Sequence, residues 1–120
     1  MGEVPLTVLV VDDDDAILDA VANTLSIDGY NVLSAHDGEA ALMVLGGAPR
    51  PCVVLLDLVL PRVDGWEVSR SIAGLAGVMV VCMTAGTHTP PEECYATLRK
   101  PFETRALLST VRGAFARLSA

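Results

Sequence analysis

The chain has 120 residues, of which 52% are hydrophobic and 19% charged, and its formal net charge is −7. This length and apolar content fit one domain with a buried core. The negative charge argues against direct binding to nucleic acid or to an anionic membrane, because both need basic patches.

Short apolar runs alternate with helical patterns along the chain. Strands are predicted over residues 6–11, 30–35, 52–57, 78–83 and 96–99, and helices over residues 16–28, 38–46, a stretch after Gly65, and 103–118. This alternation predicts βαβ units, and strands without polar alternation predict a parallel sheet covered on both faces. We therefore expect an α/β fold, a doubly wound five-stranded sheet, with residues 1–120 as a single domain.

The apolar runs and the cysteines bear on location. No run is long enough to span a bilayer, and the first residues show no signal-peptide pattern. Cys52, Cys82 and Cys94 form an odd, widely spaced set without a CxxC pair. We expect a cytoplasmic protein without membrane contact, whose cysteines are reduced thiols that serve packing.

Polar side chains follow four of the predicted strands where each strand ends. Asp12 and Asp13 follow the first strand, Asp57 ends the third, Thr84 follows the fourth and Lys100 follows the fifth. In an open parallel sheet, ligands bind beyond these carboxyl ends. Three close carboxylates need a positive charge nearby, and Mg²⁺ suits a site with oxygen ligands and few protein groups. The sequence therefore predicts a magnesium site, with Lys100, the single lysine beside seven arginines, as a further cation.

The acidic run at residues 12–15 has a second interpretation. Acids suit an N-cap and the first helical turn, and we expect this role for Asp14 and Asp15. Asp12 and Asp13 still belong to the strand end, so capping does not account for them.

Four stretches, "VLVVDDD", "VVLLDLVLPRVDGWEV", "VCMTA" and "LRKPF", resemble the receiver domain of two-component response regulators. The resemblance spans nearly the whole chain. It implies a flavodoxin-like strand order 2-1-3-4-5 with helices on both faces. It also implies a phosphorylation-dependent signalling switch rather than an enzyme that turns over a small molecule.

The resemblance implies a role for each strand-end residue. Asp57 would be the phosphoacceptor, Thr84 would hydrogen-bond a phosphoryl oxygen, and Lys100 would pair with another. The Lys100–Pro101 peptide bond would be cis.

The Mg²⁺ ligands are also implied by the resemblance. Asp13, Asp57 and the backbone carbonyl of Val59 would bind the ion directly, and Asp12 would act mainly through water.

The implied partners are a sensor histidine kinase or a histidine phosphotransfer protein, which supplies the phosphoryl group, and a downstream effector protein or domain. Homodimer formation, and whether the domain stands alone or belongs to a longer protein, are left open. A haloacid-dehalogenase-type phosphatase would carry an acid where Val59 stands, and no P-loop motif exists. A pseudo-receiver, which binds partners without phosphorylation, remains the alternative.

Three departures from the family pattern lie around the third, fourth and fifth strands. Thr97 stands where receivers carry an aromatic residue, and Tyr95 is the candidate replacement. The connection from Thr84 to Lys100 is short and contains two prolines, so the fourth helix should be shortened or absent. Neither Val59 nor Gly86 can orient an attacking water through its side chain, which predicts slow self-dephosphorylation.

Overall fold

The structure, a computed structural model, describes residues 5–60, 65–86 and 89–120. Within these ranges the strands are Thr7–Val11 (β1), Asn31–Ala35 (β2), Cys52–Asp57 (β3), Val78–Thr84 (β4) and Ala96–Arg99 (β5). The helices are Asp15–Ile27 (α1), Gly38–Gly47 (α2), Gly65–Ala73 (α3) and Thr104–Ser119 (α4). Even α4, the longest of these at 16 residues, lacks the length and apolar character that crossing a bilayer requires, as do the others.

The strands form one parallel sheet in the order β2-β1-β3-β4-β5. β1 pairs with β2 on one side and with β3 on the other, so the strand order reverses at β1. This reversal is the switch point at which open α/β sheets bind ligands. The predicted doubly wound fold and its strand order are confirmed.

Two hydrophobic layers cover the sheet, one on each face. α2 and α3 pack on one face, and α1 and α4 pack on the other. Alternate residues of β3 enter opposite layers: Val54 and Leu56 join the first, and Val53 and Leu55 join the second. Burial on both faces explains why β3 shows no polar alternation, and each such side chain contributes about 1.5–3 kcal/mol.

The first helix begins as the acidic run predicts. Asp14 is the N-cap of α1, and its carboxylate accepts hydrogen bonds from the backbone amides of Ala16 and Ile17. Asp15 lies in the first turn, where a negative charge interacts favourably with the helix dipole. The capping prediction is therefore confirmed, and Asp12 and Asp13 precede the helix.

The connection between β4 and β5 has no helix in its described residues, 85–86 and 89–95. A turn closed by a 3.2 Å hydrogen bond from the Cys94 amide to the Pro91 carbonyl is formed instead. Proline fixes φ and lacks an amide donor, which restricts helix formation through this segment. The prediction of a shortened or absent fourth helix is confirmed, and Thr97 of β5 is left exposed.

The prediction for the cysteines is wrong for two of the three. Cys82 and Cys94 form a disulfide with their Cα atoms 6.0 Å apart, and Cys52 is free and buried. The separation of 12 residues gives no sign of this pairing. It arises because the residues just before β5 lie against β4, where the Tyr95 amide donates to the Val80 carbonyl.

Candidate functional site

The strand-end residues converge on one ammonium group. The Lys100 Nζ lies 2.7 Å from an Asp12 carboxylate oxygen and 3.4 Å from an Asp57 carboxylate oxygen. Asp12 is 0% exposed and Asp57 is 6% exposed, so this ionic contact is largely shielded from water. The first, third and fifth strands thus bring three charged groups together, as the parallel topology predicts.

A third carboxylate belongs to the same cluster. Asp12, Asp13 and Asp57 each offer an oxygen, and these oxygens lie within 4.8 Å of one another. Asp13 is exposed, whereas the other two are buried, so the cluster opens to solvent on one side. Hard carboxylate oxygens, partial solvent access and excess negative charge are the chemistry that Mg²⁺ prefers, and these residues fit that ion.

Short side-chain-to-backbone hydrogen bonds orient the strand-end residues. The Asp14 amide donates to an Asp12 oxygen at 3.0 Å, and the Val59 amide donates to an Asp57 oxygen at 3.0 Å. Each is an Asx-type turn, in which the side chain accepts a hydrogen bond from the amide two residues later.

Thr84 repeats this arrangement with its hydroxyl. The Gly86 amide donates to the Thr84 Oγ1 at 3.2 Å. None of the three backbone donors was predicted from the sequence, although Asp or Thr at the end of a strand is itself a signal for such turns.

The ends of β4 and β5 are joined directly. The Lys100 amide donates to the Thr84 carbonyl at 2.7 Å, so both residues have fixed backbone positions relative to each other. The Lys100–Pro101 peptide bond is cis, as expected. The position of Lys100 therefore depends on the pairing of β4 with β5.

Gly65, at the start of α3, lies against the end of β3, at Asp57 and Leu58. A Cβ at this position would lie 2.5 Å from the Leu58 Cα and 2.7 Å from the Asp57 carbonyl oxygen. Any other residue would force α3 away from the site. The resemblance contained Gly65, but only the structure gives the reason for it.

Burial controls the electrostatics of Asp57. Desolvation raises the pKa of the Asp57 carboxyl above its ordinary value, and it outweighs the opposing Val59 hydrogen bond and Lys100 charge. For Lys100, burial would lower the pKa, but the hydrogen bond to Asp12 and the two carboxylate charges raise it above its ordinary value. Lys100 is therefore held as a cation, while the ionised form of Asp57 is destabilised.

Some predicted roles have no counterpart in these contacts. Val59 is 56% exposed beside Asp57, but metal binding by its carbonyl remains a prediction. The Tyr95 hydroxyl lies close to Gly113 of α4, and a Cβ added to that glycine would be 2.7 Å from it. A role for Tyr95 in switching also remains a prediction. Pro61 and Asp64 of the quoted motif lie outside the described residues.

Comparison with known families explains this convergence of residues. The family model for the response regulator receiver domain matches residues 8–112. The chain belongs to the response regulator receiver family. The match includes every strand-end residue of the site.

Relatives and solved receivers agree with the assignment. The response regulator MprA of Mycobacterium tuberculosis is 34% identical over 112 residues, which is 88% of this chain and 48% of MprA. The chain thus spans about half the length of this relative. The chemotaxis response regulator CheY4 of Vibrio cholerae has a TM-score of 0.81 at 28% identity, covering 92% of this chain and 99% of CheY4.

NtrX of Brucella abortus is similar over a smaller part of its own length. Its TM-score is 0.84 at 27% identity, covering 97% of this chain but 28% of NtrX. The same receiver fold thus matches a chain of receiver size and part of a much longer protein.

We predict that Asp57→Asn changes the pH dependence of stability in the metal-free receiver. Because the folded state raises the Asp57 pKa above 3.8, the native protein holds that proton more tightly than the unfolded chain. The contribution of Asp57 to stability therefore falls as the pH rises through this window, and asparagine removes the effect. Urea unfolding in EDTA should be measured between about pH 3.5 and 7.5. The free energy of unfolding of Asp57→Asn minus that of the parent should grow as the pH rises.

Asp19→Asn is the matched control, because Asp19 is an exposed aspartate of α1 and the substitution removes the same charge. An Asp57→Asn advantage that shrinks as the pH rises would contradict the assigned cause, as would an equal change in both variants.

Proposed function

We propose that this receiver is a phosphorylation-dependent switch, in which Asp57 accepts a phosphoryl group from a phosphohistidine. The observation that carries the proposal is the Lys100 ammonium between Asp12 and Asp57, at 2.7 Å and 3.4 Å. A lysine in this position can neutralise charge on a phosphoryl group attached to Asp57. Phosphoryl transfer depends mainly on such positioning and charge neutralisation.

In the proposed reaction, an Asp57 carboxylate oxygen attacks the phosphorus atom of the donor phosphohistidine. The new oxygen–phosphorus bond forms as the nitrogen–phosphorus bond breaks. The donor ring carries a proton on its other nitrogen, so it takes the electron pair of the broken bond and leaves as neutral imidazole. Lys100 pairs with one phosphoryl oxygen, and the Thr84 hydroxyl donates to another. The Gly86 amide, which donates to the Thr84 Oγ1 at 3.2 Å, holds that oxygen and leaves its proton free to donate.

We propose Mg²⁺ as the required cofactor. Asp13, Asp57 and the Val59 carbonyl would hold the ion directly, with Asp12 acting mainly through water. When bound, Mg²⁺ supplies positive charge to the carboxylates and the incoming phosphoryl group. The carboxylate oxygens within 4.8 Å of one another support this assignment.

The proposed partners follow from this chemistry. A sensor histidine kinase or a histidine phosphotransfer protein supplies the phosphoryl group, and an effector protein or domain responds to it. The added charge of about −1.5 to −2 acts at the ends of β3 and β4, beside the helix-free connection. We propose a cytoplasmic location and, with a net charge of −7, no direct contact with nucleic acid or membranes. Homodimer formation remains open.

We predict that acetyl phosphate with Mg²⁺ phosphorylates the protein at Asp57. Intact mass spectrometry should show one phosphate-sized gain, which EDTA prevents. Asp57→Asn should abolish the gain, because asparagine lacks the nucleophilic carboxylate. Lys100→Met should slow the appearance of the phosphorylated species on the order of a hundredfold, because the phosphoryl charge loses its neutralising cation.

Asp19→Asn, which changes an exposed aspartate outside the site, is the matched control and should retain the full gain. Absence of any gain in the parent protein would favour a pseudo-receiver that binds partners without phosphorylation. A gain that persists in Asp57→Asn would place the acceptor elsewhere.

We also predict slow loss of the phosphoryl group without a phosphatase. Val59, 56% exposed beside Asp57, has no polar group in its side chain that could orient an attacking water. Val59→Asn supplies an amide there and should accelerate decay on the order of tenfold. Met43→Asn places the same amide on the exposed side of α2 and should not change the decay. Decay of the parent within seconds would refute this prediction.

A further inference from the structure

The disulfide lies near Thr84, the site residue at the end of β4. Cys82 is in β4, two residues before Thr84, and because side chains alternate along a strand the two share one face of the sheet. Cys94 lies just before β5, and its Cα is 6.0 Å from that of Cys82. This distance lies inside the range that a disulfide spans without backbone movement.

The cross-link closes a loop that contains the Thr84 hydroxyl and its hydrogen-bond partner Gly86. One end of the connection is held by the Lys100 amide on the Thr84 carbonyl, and the other by the Tyr95 amide on the Val80 carbonyl at 2.8 Å. Between these ends, the disulfide is the covalent restraint on the connection.

Besides that restraint, the Trp66 Nε1 donates to the Thr89 carbonyl at 3.1 Å. The described residues of the connection, 85–86 and 89–95, form no helix that would pack against the sheet. The disulfide therefore restrains a segment that helix packing does not hold in place.

We propose that Cys82 and Cys94 are a reversible thiol–disulfide modification site that sets the rate of phosphoryl uptake. The inference rests on the proposed function of Asp57. In the oxidised form Cys94 is fixed against β4, and the Gly86 amide holds the Thr84 hydroxyl in position. In the reduced form Cys94 is released from β4 and Gly86 gains conformational freedom, so its amide holds the Thr84 hydroxyl less firmly, while the Lys100 amide still fixes the Thr84 backbone.

Access to the pair is asymmetric. Cys82 is completely buried, whereas Cys94 is half-buried and lines an open cavity of about 410 Å³. This cavity is also lined by Glu92 and Tyr95 of the connection and by Arg117 of α4. Its volume admits a small-molecule thiol or disulfide. Cys94 is therefore the residue that an external reagent reaches, and Cys82 is the residue that completes the bond.

The chemistry balances with a low-molecular-weight disulfide as oxidant. The Cys94 thiolate attacks one sulfur of the reagent, forming a mixed disulfide and releasing one small thiol. The Cys82 thiolate then attacks the Cys94 sulfur and releases the second small thiol. Two protein thiols are oxidised to one disulfide, and one small disulfide is reduced to two thiols.

The proposed cytoplasmic location favours this regulatory interpretation over a purely structural one. Cytoplasmic thiols are kept mostly reduced, and the disulfides that form there are usually transient, catalytic or redox-sensing. A bond that restrains a catalytic hydroxyl is suited to sensing.

The test uses Cys52→Ala, which leaves the pair as the only cysteines. The protein is equilibrated in mixtures of reduced and oxidised glutathione, quenched with acid, freed of glutathione and unfolded in denaturant. Maleimide labelling and intact mass should then show two labelled thiols after reducing conditions and none after oxidising ones. Acetyl phosphate uptake at Asp57 should be about threefold or more slower in the reduced form. In a Thr84→Ala background this redox dependence should disappear, which a merely stabilising disulfide would not cause.

Cys52→Ala/Cys82→Ala/Cys94→Ala is the control and should match the reduced form in every buffer. If either variant fails to fold, the parent gives the same test as three labelled thiols against one. Two thiols that stay labelled under oxidising conditions would overturn the inference, as would equal uptake by both forms. If neither form takes up phosphate at Asp57, the proposed function is overturned, and so is the control of uptake by the cysteines. The count of labelled thiols still shows whether the disulfide forms.

Discussion

The ammonium of Lys100 between two buried carboxylates is the interaction on which the site depends. A buried ion pair of this kind adds little stability over an apolar replacement of similar volume. The arrangement is therefore better explained by function than by stability. Lys100 is held as a cation, burial raises the pKa of Asp57, and the cluster carries more negative than positive charge. A site with this charge balance favours the binding of further cations.

The parallel sheet brings the residues of this site together at one edge. β1, β3, β4 and β5 end at one edge, so residues far apart in the chain meet without a long functional loop. Local turns at Asp12, Asp57 and Thr84 then fix each side chain through the amide two residues later. The close approach of Gly65 to Leu58 places α3 against the same edge. The geometry at the strand ends is thus set by backbone contacts rather than by side-chain packing.

Much of the fold could be predicted because its signals are local. Apolar runs without alternation indicate buried parallel strands. The two prolines of the β4–β5 connection explain why its described residues, 85–86 and 89–95, form no helix. The strand-end charges were identifiable because parallel topology brings such ends together. The Cys82–Cys94 bond was not predictable, since it depends on how a helix-free segment folds back in space. The resemblance supplied the expected roles of Asp57 and Lys100, which remain predictions, but neither it nor the residue pattern identified the backbone donors of the turns.

The most direct test of this account is a calorimetric titration of Mg²⁺ into the purified protein. The charge balance at the strand ends predicts one binding site in the parent and loss of binding in Asp13→Asn, whose exposed position makes a folding defect unexpected. Asp19→Asn removes the same charge from the exposed side of α1 and should bind as the parent does. Absence of Mg²⁺ binding in the parent, or undiminished binding in Asp13→Asn, would contradict the account.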